Sequence, residues 1–324
     1  MNEMPLVSVL IPCYNHEAFL EDCLNSILRQ TYGNIELLIC DDCSPDSSWD
    51  VIRAFAPKLQ ARFARVELLK NEVNQGVTKN VNRMLALARG EFVKTLASDD
   101  AMASTAIEQM VAFLQENPQY GVVVANGIKV PEQQHYPDFS GEAIYGQAPD
   151  FSKEGFFLRT ARCNPISAPA AMVRMSVYET YGVYDETVKV EDYEFWLRLL
   201  KDASVEFGYL DSKLLYYRIN AGSMTSMQNN DRLAQRRKVF HTSEMGTLNK
   251  YRDYFAPADY SLLVLERILT ERQLAVSSGL FAWDNELCLA WKRFDGWDAL
   301  SVSQQARLRL QGMKQTVKRL LRGG

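Results

Sequence analysis

The sequence predicts an α/β protein: a mostly parallel sheet with helices on both faces, followed by a helical C-terminal region. Three observations carry this. Over the first 130 residues, period-2 and apolar segments alternate with segments of helical period. The strand segments are short and almost continuously apolar, as strands covered on both faces must be. Three of them end abruptly in polar clusters: Pro12-Cys13-Tyr14-Asn15, Asp41-Asp42 and Asp99-Asp100. In open parallel sheets, ligands bind beyond the carboxyl ends of the strands.

Taken in order, Leu6–Ile11 reads as the first strand. Phe19, Leu20, Cys23, Leu24, Ile27 and Leu28 then recur at helical spacing, predicting a helix over 17–30. Ile35–Cys40 is a second strand, followed by a helix near 47–56 and a strand at Val66–Leu69. A helix near 77–89 leads into a strand at Glu91–Leu96. A helix near 104–116 and a strand at Gly121–Ala125 complete the alternation. From about 130 to 165 the pattern dissolves into Pro-, Gln- and Gly-containing loops, returns at 170–218, and is helical from 230 to 324. The expected division is 1–225 as one α/β domain, with halves 1–125 and 126–225, and 226–324 as a helical region.

A length of 324 residues with 47% hydrophobic and 23% charged residues describes an ordinary globular chain with a sizeable core. A net charge of -4 gives no reason to expect nucleic acid as a partner. No secretory signal or long apolar run is visible, and six scattered cysteines suggest reduced thiols, so a cytoplasmic location is expected. The single C-x-x-C, Cys40 and Cys43, lacks a second pair for zinc.

The first turn narrows the ligand. Dinucleotide-binding and P-loop proteins place glycines there so that backbone amides reach phosphates. Residues 12–17, Pro-Cys-Tyr-Asn-His-Glu, contain none. The acids at the strand ends suit hydrogen bonds to a base or ribose and a hard divalent cation, which takes oxygen ligands from carboxylates and substrate phosphates. Only three histidines exist, at 16, 135 and 241, too dispersed in sequence for a histidine-based cluster.

Val7–Asn15, Ser26–Tyr32, Glu36–Ser44, Asn74–Val77, Ala88–Phe92, Ser98–Asp100, Gly182–Glu186, Glu191–Arg198 and Tyr216–Arg218 form an ordered series. Together these segments resemble the family 2 glycosyltransferases, in particular bacterial polysaccharide and O-antigen enzymes. The resemblance implies the GT-A nucleotide-diphospho-sugar transferase fold and an inverting transfer from a nucleotide-sugar donor, UDP-sugars first. The implied acceptor is a hydroxyl of a glycan or lipid-linked glycan.

It further implies that Pro12, Tyr14 and Asn15 line base and ribose, with Asp42 on the pyrimidine and Asp41 beside it. A solvated turn is the plainer reading of those acids. Asp99 and Asp100 match the metal motif, for Mn²⁺ or Mg²⁺, although Ala97 replaces its first acid and the pair could simply cap the next helix. Lys79 lies in a segment near the donor, and Arg218 matches a diphosphate contact; a solvated charge and a structural ion pair are the alternatives. Asn220, followed by Ser223, stands where relatives carry histidine, and Cys43 where they carry glycine. Asp192 matches the general base and Glu191 orients loop or acceptor, against a plain acidic helix start.

Residues 307–322 hold Arg307, Arg309, Lys314, Lys318, Arg319 and Arg322 with no acid, while Leu310, Met313, Val317, Leu320 and Leu321 share a helical face. Such a helix suits the inner membrane surface, or packs on the protein with a solvated basic side. Ala97 and Asn220 also leave room for a second function: a catalytically weak sugar-nucleotide or glycan-binding module, or a partner subunit of an assembly complex.

Overall fold

The computed structural model describes residues 4–149, 151, 153–201, 205–220 and 233–321, and Ser223 and Arg322 lie outside that set. It divides into two compact units. The first comprises residues 1–156, 165–186 and 198–220, and the second 157–164, 187–197 and 221–324.

The first unit is an eight-stranded sheet. Its strands are β1 (Val7–Cys13), β2 (Ile35–Asp41), β3 (Arg65–Lys70), β4 (Phe92–Thr95), β5 (Ala101–Met102), β6 (Tyr120–Pro131), β7 (Ala171–Arg174) and β8 (Glu206–Ile219). The order is β3-β2-β1-β4-β7-β6-β8-β5. The pairs β1–β2, β1–β4, β2–β3 and β6–β8 are parallel, whereas β7 is antiparallel to β4 and β6, and β5 to β8. The sheet is thus mixed, with its parallel half at the β1 side, where the sequence alternates most regularly. Every residue of β2 is buried, as its apolar run requires. Glu36, within that run, accepts from Ser8 Oγ and Arg89 N at 2.5 Å each and from Arg65 at 2.6 Å, which holds its carboxyl below the usual range despite burial.

Helices α1 (Glu17–Leu28), α2 (Ser48–Arg62), α3 (Val77–Leu85) and α4 (Ala106–Glu116) follow β1, β2, β3 and β5 in turn. Then comes α5 (Lys153–Cys163), a helix inside the stretch that the sequence reads as loops; only part of its surface is apolar, and it is flanked by Gly and Pro. The short α6 (Met175–Tyr181) and α7 (Glu191–Leu200) complete the central part.

The second unit contains α8 (Leu233–Lys250), α9 (Pro257–Ser277), α10 (Phe281–Arg293) and α11 (Val302–Leu321). α9 is its axis: Leu263, Val264, Leu265, Ile268 and Leu269 are all buried, pointing into three separate apolar clusters. Ion pairs stitch the helices together in sequence: Arg237 with Glu271, Arg267 with Glu244, and Arg272 and Arg319 with Asp284. The unit is more than the expected 226–324 appendage. It also takes in 157–164 and 187–197, because Tyr193 and Leu197 bury themselves in the same cluster as Leu248 and Leu263. Among the described residues, no helix is long and apolar enough to cross a membrane.

Candidate functional site

The carboxyl ends of β1, β2 and β4 assemble the polar residues singled out above. β1 and β2 run in register to Cys13 opposite Asp41, and Asp42 N donates to Cys13 O at 2.8 Å. Past β1 the chain turns sharply at Asn15, whose φ of 58 lies in the left-handed region that asparagine tolerates. The turn is held by Asn15 N donating to Ser44 Oγ and His16 N to Ser48 Oγ, both at 3.0 Å. It leaves Tyr14 46% exposed beside the part-buried Pro12, an open surface of the kind a flat base or ribose covers. Cys43 also has a left-handed φ, 59, a conformation glycine adopts freely and cysteine only with a modest strain.

Asp42 is buried and tightly held. Its Oδ1 accepts from Asn71 Nδ2 and Gln75 N, and its Oδ2 from Gly76 N, each at 2.8 Å. Burial alone would raise its pKa, but these donors outweigh it and the carboxyl titrates below the usual range. Asp42 therefore fixes the 71–76 loop, and Gly76 (φ 90) opens α3 from there. A polar cavity of about 430 Å³ lies next to that loop, lined by Asn71, Gln75, Lys79, Asn80, Asn82, Arg83 and Glu186. Lys79 is thus near the loop Asp42 holds. Asp41 is fully buried; its Oδ2 accepts from Ser44 N at 3.2 Å, and its Oδ1 has no partner among the described residues.

At the end of β4 the two acids differ. Asp99 is part-exposed and accepts from Asn220 Nδ2 at 2.8 Å. Asp100 is buried: its Oδ1 accepts from Arg218 N at 2.9 Å and its Oδ2 has no partner among the described residues. Burial, together with the charge of Asp99, pushes Asp100 well above the usual carboxylate range. Arg218 is buried as well. Its guanidinium donates to Asp99 O, Glu132 O, Gln134 O and Asp22 Oδ2, between the rings of Phe19 and Phe139. With four donors so engaged it braces the Asp99–Asp100 turn, which favours the structural ion-pair alternative over a diphosphate contact.

Sequence reasoning missed Lys94. This buried lysine on β4 donates to the carbonyls of Pro169, Ala171 and Thr95, and burial pulls its pKa down to about 7 against the opposing pull of Asp100. A cation amid Phe92-Val93-Lys94-Thr95-Leu96 was the available signal.

Glu191 and Asp192 belong to the second unit and start α7. Asp192 accepts from Tyr193 N at 2.7 Å and Asn164 Nδ2 at 3.3 Å. Ser243 Oγ on α8 accepts from Lys189 N and Val190 N, at 2.9 and 3.1 Å, anchoring the turn just before the pair. Burial and then the Asp192 charge push Glu191 up to about 8, and burial raises Asp192 too, against its two hydrogen bonds. Glu191 therefore holds a proton at neutral pH.

A sheet with acids rather than a glycine-rich loop at its strand ends, and with an antiparallel β7 set between parallel strands, is the GT-A fold. Solved structures share this fold. Staphylococcus aureus TarS 1-349 with UDP-GlcNAc superposes with a TM-score of 0.55 at 19% identity, over 83% of this chain and 81% of that one. The mannosyltransferase PcManGT of Pyrobaculum calidifontis, with GDP-Man and Mn2+, gives 0.57 at 14% identity, over 100% and 89%.

The chain belongs to glycosyl transferase family 2, whose model matches residues 8–182. Among curated relatives, the putative glycosyltransferase EpsE of Bacillus subtilis is 31% identical, over 62% of this chain and 69% of its own length. The Escherichia coli UDP-Glc:alpha-D-GlcNAc-diphosphoundecaprenol beta-1,3-glucosyltransferase WfaP is 27% identical, over 69% and 81%. The protein is a glycosyltransferase.

Proposed function

We propose that this chain transfers a sugar from a UDP-sugar to a hydroxyl of a lipid-linked glycan, inverting the anomeric centre, with Mn²⁺ or Mg²⁺. The observation that carries the donor half is the strand-end face of the first unit. There Asp42 holds the 71–76 loop rigid, and Pro12, Tyr14 and Asn15 present an open surface beside Asp41. WfaP, by its name, uses UDP-Glc and a diphosphoundecaprenol-linked acceptor, and that supports the same substrate classes here.

The residues suit a hard cation. Asp99 is part-exposed, and Asp100 beside it keeps one carboxyl oxygen without a partner among the described residues, available to a cation that displaces its proton. Among the described residues, no group of three or more His, Cys, Asp or Glu side chains is placed to hold an ion by itself, so the donor diphosphate would supply part of its shell. A cation held by Asp99 and Asp100 would neutralise charge on the departing nucleoside diphosphate. Asp192 takes the proton of the acceptor hydroxyl as its oxygen bonds to C1 and the bond from C1 to the diphosphate breaks. Glu191, protonated at neutral pH, adds no second charge beside it, and Asn164 and Ser243 hold the turn.

The work is done at the inner membrane surface. Leu310, Met313 and Val317 on α11 are 49, 59 and 54% exposed, and their spacing puts them on one side of the helix. The other side is docked, through the buried Leu308, the Gln315–Leu269 hydrogen bond and the Arg319–Asp284 pair. Arg307, Lys314 and Lys318 flank the apolar stripe, a pattern suited to anionic lipid.

The test is a melting panel of UDP, dTDP, GDP and CDP with and without Mn²⁺, run on wild type and Asp192→Asn. A ligand at 100 times its dissociation constant adds about 2.7 kcal/mol to stability. Both proteins should respond to UDP with Mn²⁺, while transfer to a diphospholipid-linked sugar falls ~10²–10⁴-fold in the variant. Near-normal turnover by Asp192→Asn would defeat the assignment of the base.

A further inference from the structure

The Asp99 carboxylate is flanked on both sides. Asn220 occupies Oδ2, and His16 Nδ1 stands 3.9 Å from Oδ1. The same ring nitrogen lies 2.8 Å from Ser98 Oγ. Resting on the metal-dependent reading above, we propose that His16 is a ligand of the divalent cation, supplying from the first turn the donor atom that Ala97 cannot.

The ring is placed rather than free. His16 is the residue before α1, its N–H bound by Ser48 and its carbonyl accepting from Phe19 N and Leu20 N at 3.0 Å. Phe19 packs against it edge-on at 6.1 Å. The side chains of His16 and Asp99 are 25% and 12% exposed, open enough for an ion and a diphosphate to arrive.

The separation is informative. At 3.9 Å the nitrogen and oxygen are too far apart to share a proton directly. Two ligands of one octahedral ion with bonds of ~2.1 Å are about 3.0 Å apart when adjacent and about 4.2 Å when opposite. The observed 3.9 Å is a few tenths of an ångström short of the opposite arrangement, a gap that a small rotation of the ring or the carboxylate closes. Binding at Nδ1 takes the neutral ring protonated at Nε2 and replaces the Ser98 contact at that nitrogen. An imidazole is a softer donor than the carboxylate missing at position 97, so the site should favour Mn²⁺ over Mg²⁺.

The readout is pulsed electron paramagnetic resonance of Mn²⁺ bound with UDP to the full chain. Wild type should show a directly coordinated ¹⁴N nucleus, and His16→Gln should lose it. Calorimetry should show Mn²⁺ binding weakened roughly 10-fold or more in His16→Gln, with UDP binding in the absence of metal unchanged. Adding Ala97→Asp to that variant should restore affinity and move the preference toward Mg²⁺. A Mn²⁺–UDP complex without nitrogen coupling, or with coupling that survives His16→Gln, overturns the proposal while leaving the metal-dependent donor site standing. Failure of wild type to bind Mn²⁺ with UDP overturns both. A wild-type spectrum without nitrogen coupling overturns the proposal even if the variant does not fold, and selective ¹⁵N labelling of histidine assigns a coupling that is seen.

Discussion

Replacing Asp42 by asparagine keeps the shape of the side chain and changes only its charge and one donor–acceptor identity. The carboxylate accepts three hydrogen bonds at 2.8 Å, from Asn71 and from the N–H groups of Gln75 and Gly76. An asparagine amide has one oxygen, so its NH₂ must face a donor. The cheaper orientation keeps oxygen toward Asn71 and Gln75 and forfeits Gly76. Losing one bond to a charged acceptor costs about 1.5–3 kcal/mol, and each remaining bond drops to the neutral range, about 0.5–1.5 kcal/mol. A net loss of roughly 3 kcal/mol follows after relaxation, which for a unit of this size lowers the melting midpoint by roughly 6–12 °C.

The pH dependence has a definite sign. Asp42 titrates below its ordinary 3.8 in the folded chain. The stability it contributes is fully present above that value and is lost as pH falls through the lower, folded one. The gap between wild type and Asp42→Asn should therefore be constant from pH 8 down to about 5 and close below pH 4. Thermal melts across that range, with amide exchange at Gln75 and Gly76 as the local probe, make the measurement. A variant that melts with wild type at pH 7, or keeps both amides protected, refutes the view that Asp42 builds the loop.

Two further outcomes follow from the second unit. Glu191 is raised from 4.5 to about 8, so the folded chain grips that proton more tightly than the unfolded one, and native stability declines as pH climbs between those values. Glu191→Gln should match wild type near pH 5 and melt higher at pH 8.5; parallel pH profiles would show that the carboxyl is not raised. The triple change Leu310→Gln, Met313→Gln, Val317→Gln should leave folding and UDP binding intact and cut association with phosphatidylglycerol vesicles by roughly 100-fold, given about 1 kcal/mol for each half-exposed apolar side chain. Wild-type protein that stays in the supernatant with those vesicles would remove the membrane role.

Much of this molecule is legible in its sequence. The apolar runs at β1, β2 and β4 and the helical period of α1 are local patterns, fixed by which side chains must leave water, and their strand ends follow directly. So do the acids at those ends. α5 was hidden because its apolar face is narrow and Gly and Pro flank it. Lys94 was passed over because a single cation scarcely alters the apolarity of a strand, whereas its burial depends on the carbonyls of a segment some 75 residues away.

What the sequence determined by itself, then, is the family, the parallel half of the sheet and the residue types at the site. What only the tertiary structure decided is how those residues are used. Asp42 is held by amides of a loop about 30 residues further on, Arg218 is drawn inward by carbonyls and Asp22, and His16 meets Asp99 across more than 80 positions. The turn bearing Glu191 and Asp192 is anchored by Ser243 in a helical region that looked like an appendage. Hydrophobic period is a property of neighbours along the chain, while hydrogen-bond satisfaction and electrostatics depend on distances in space that only the folded chain sets.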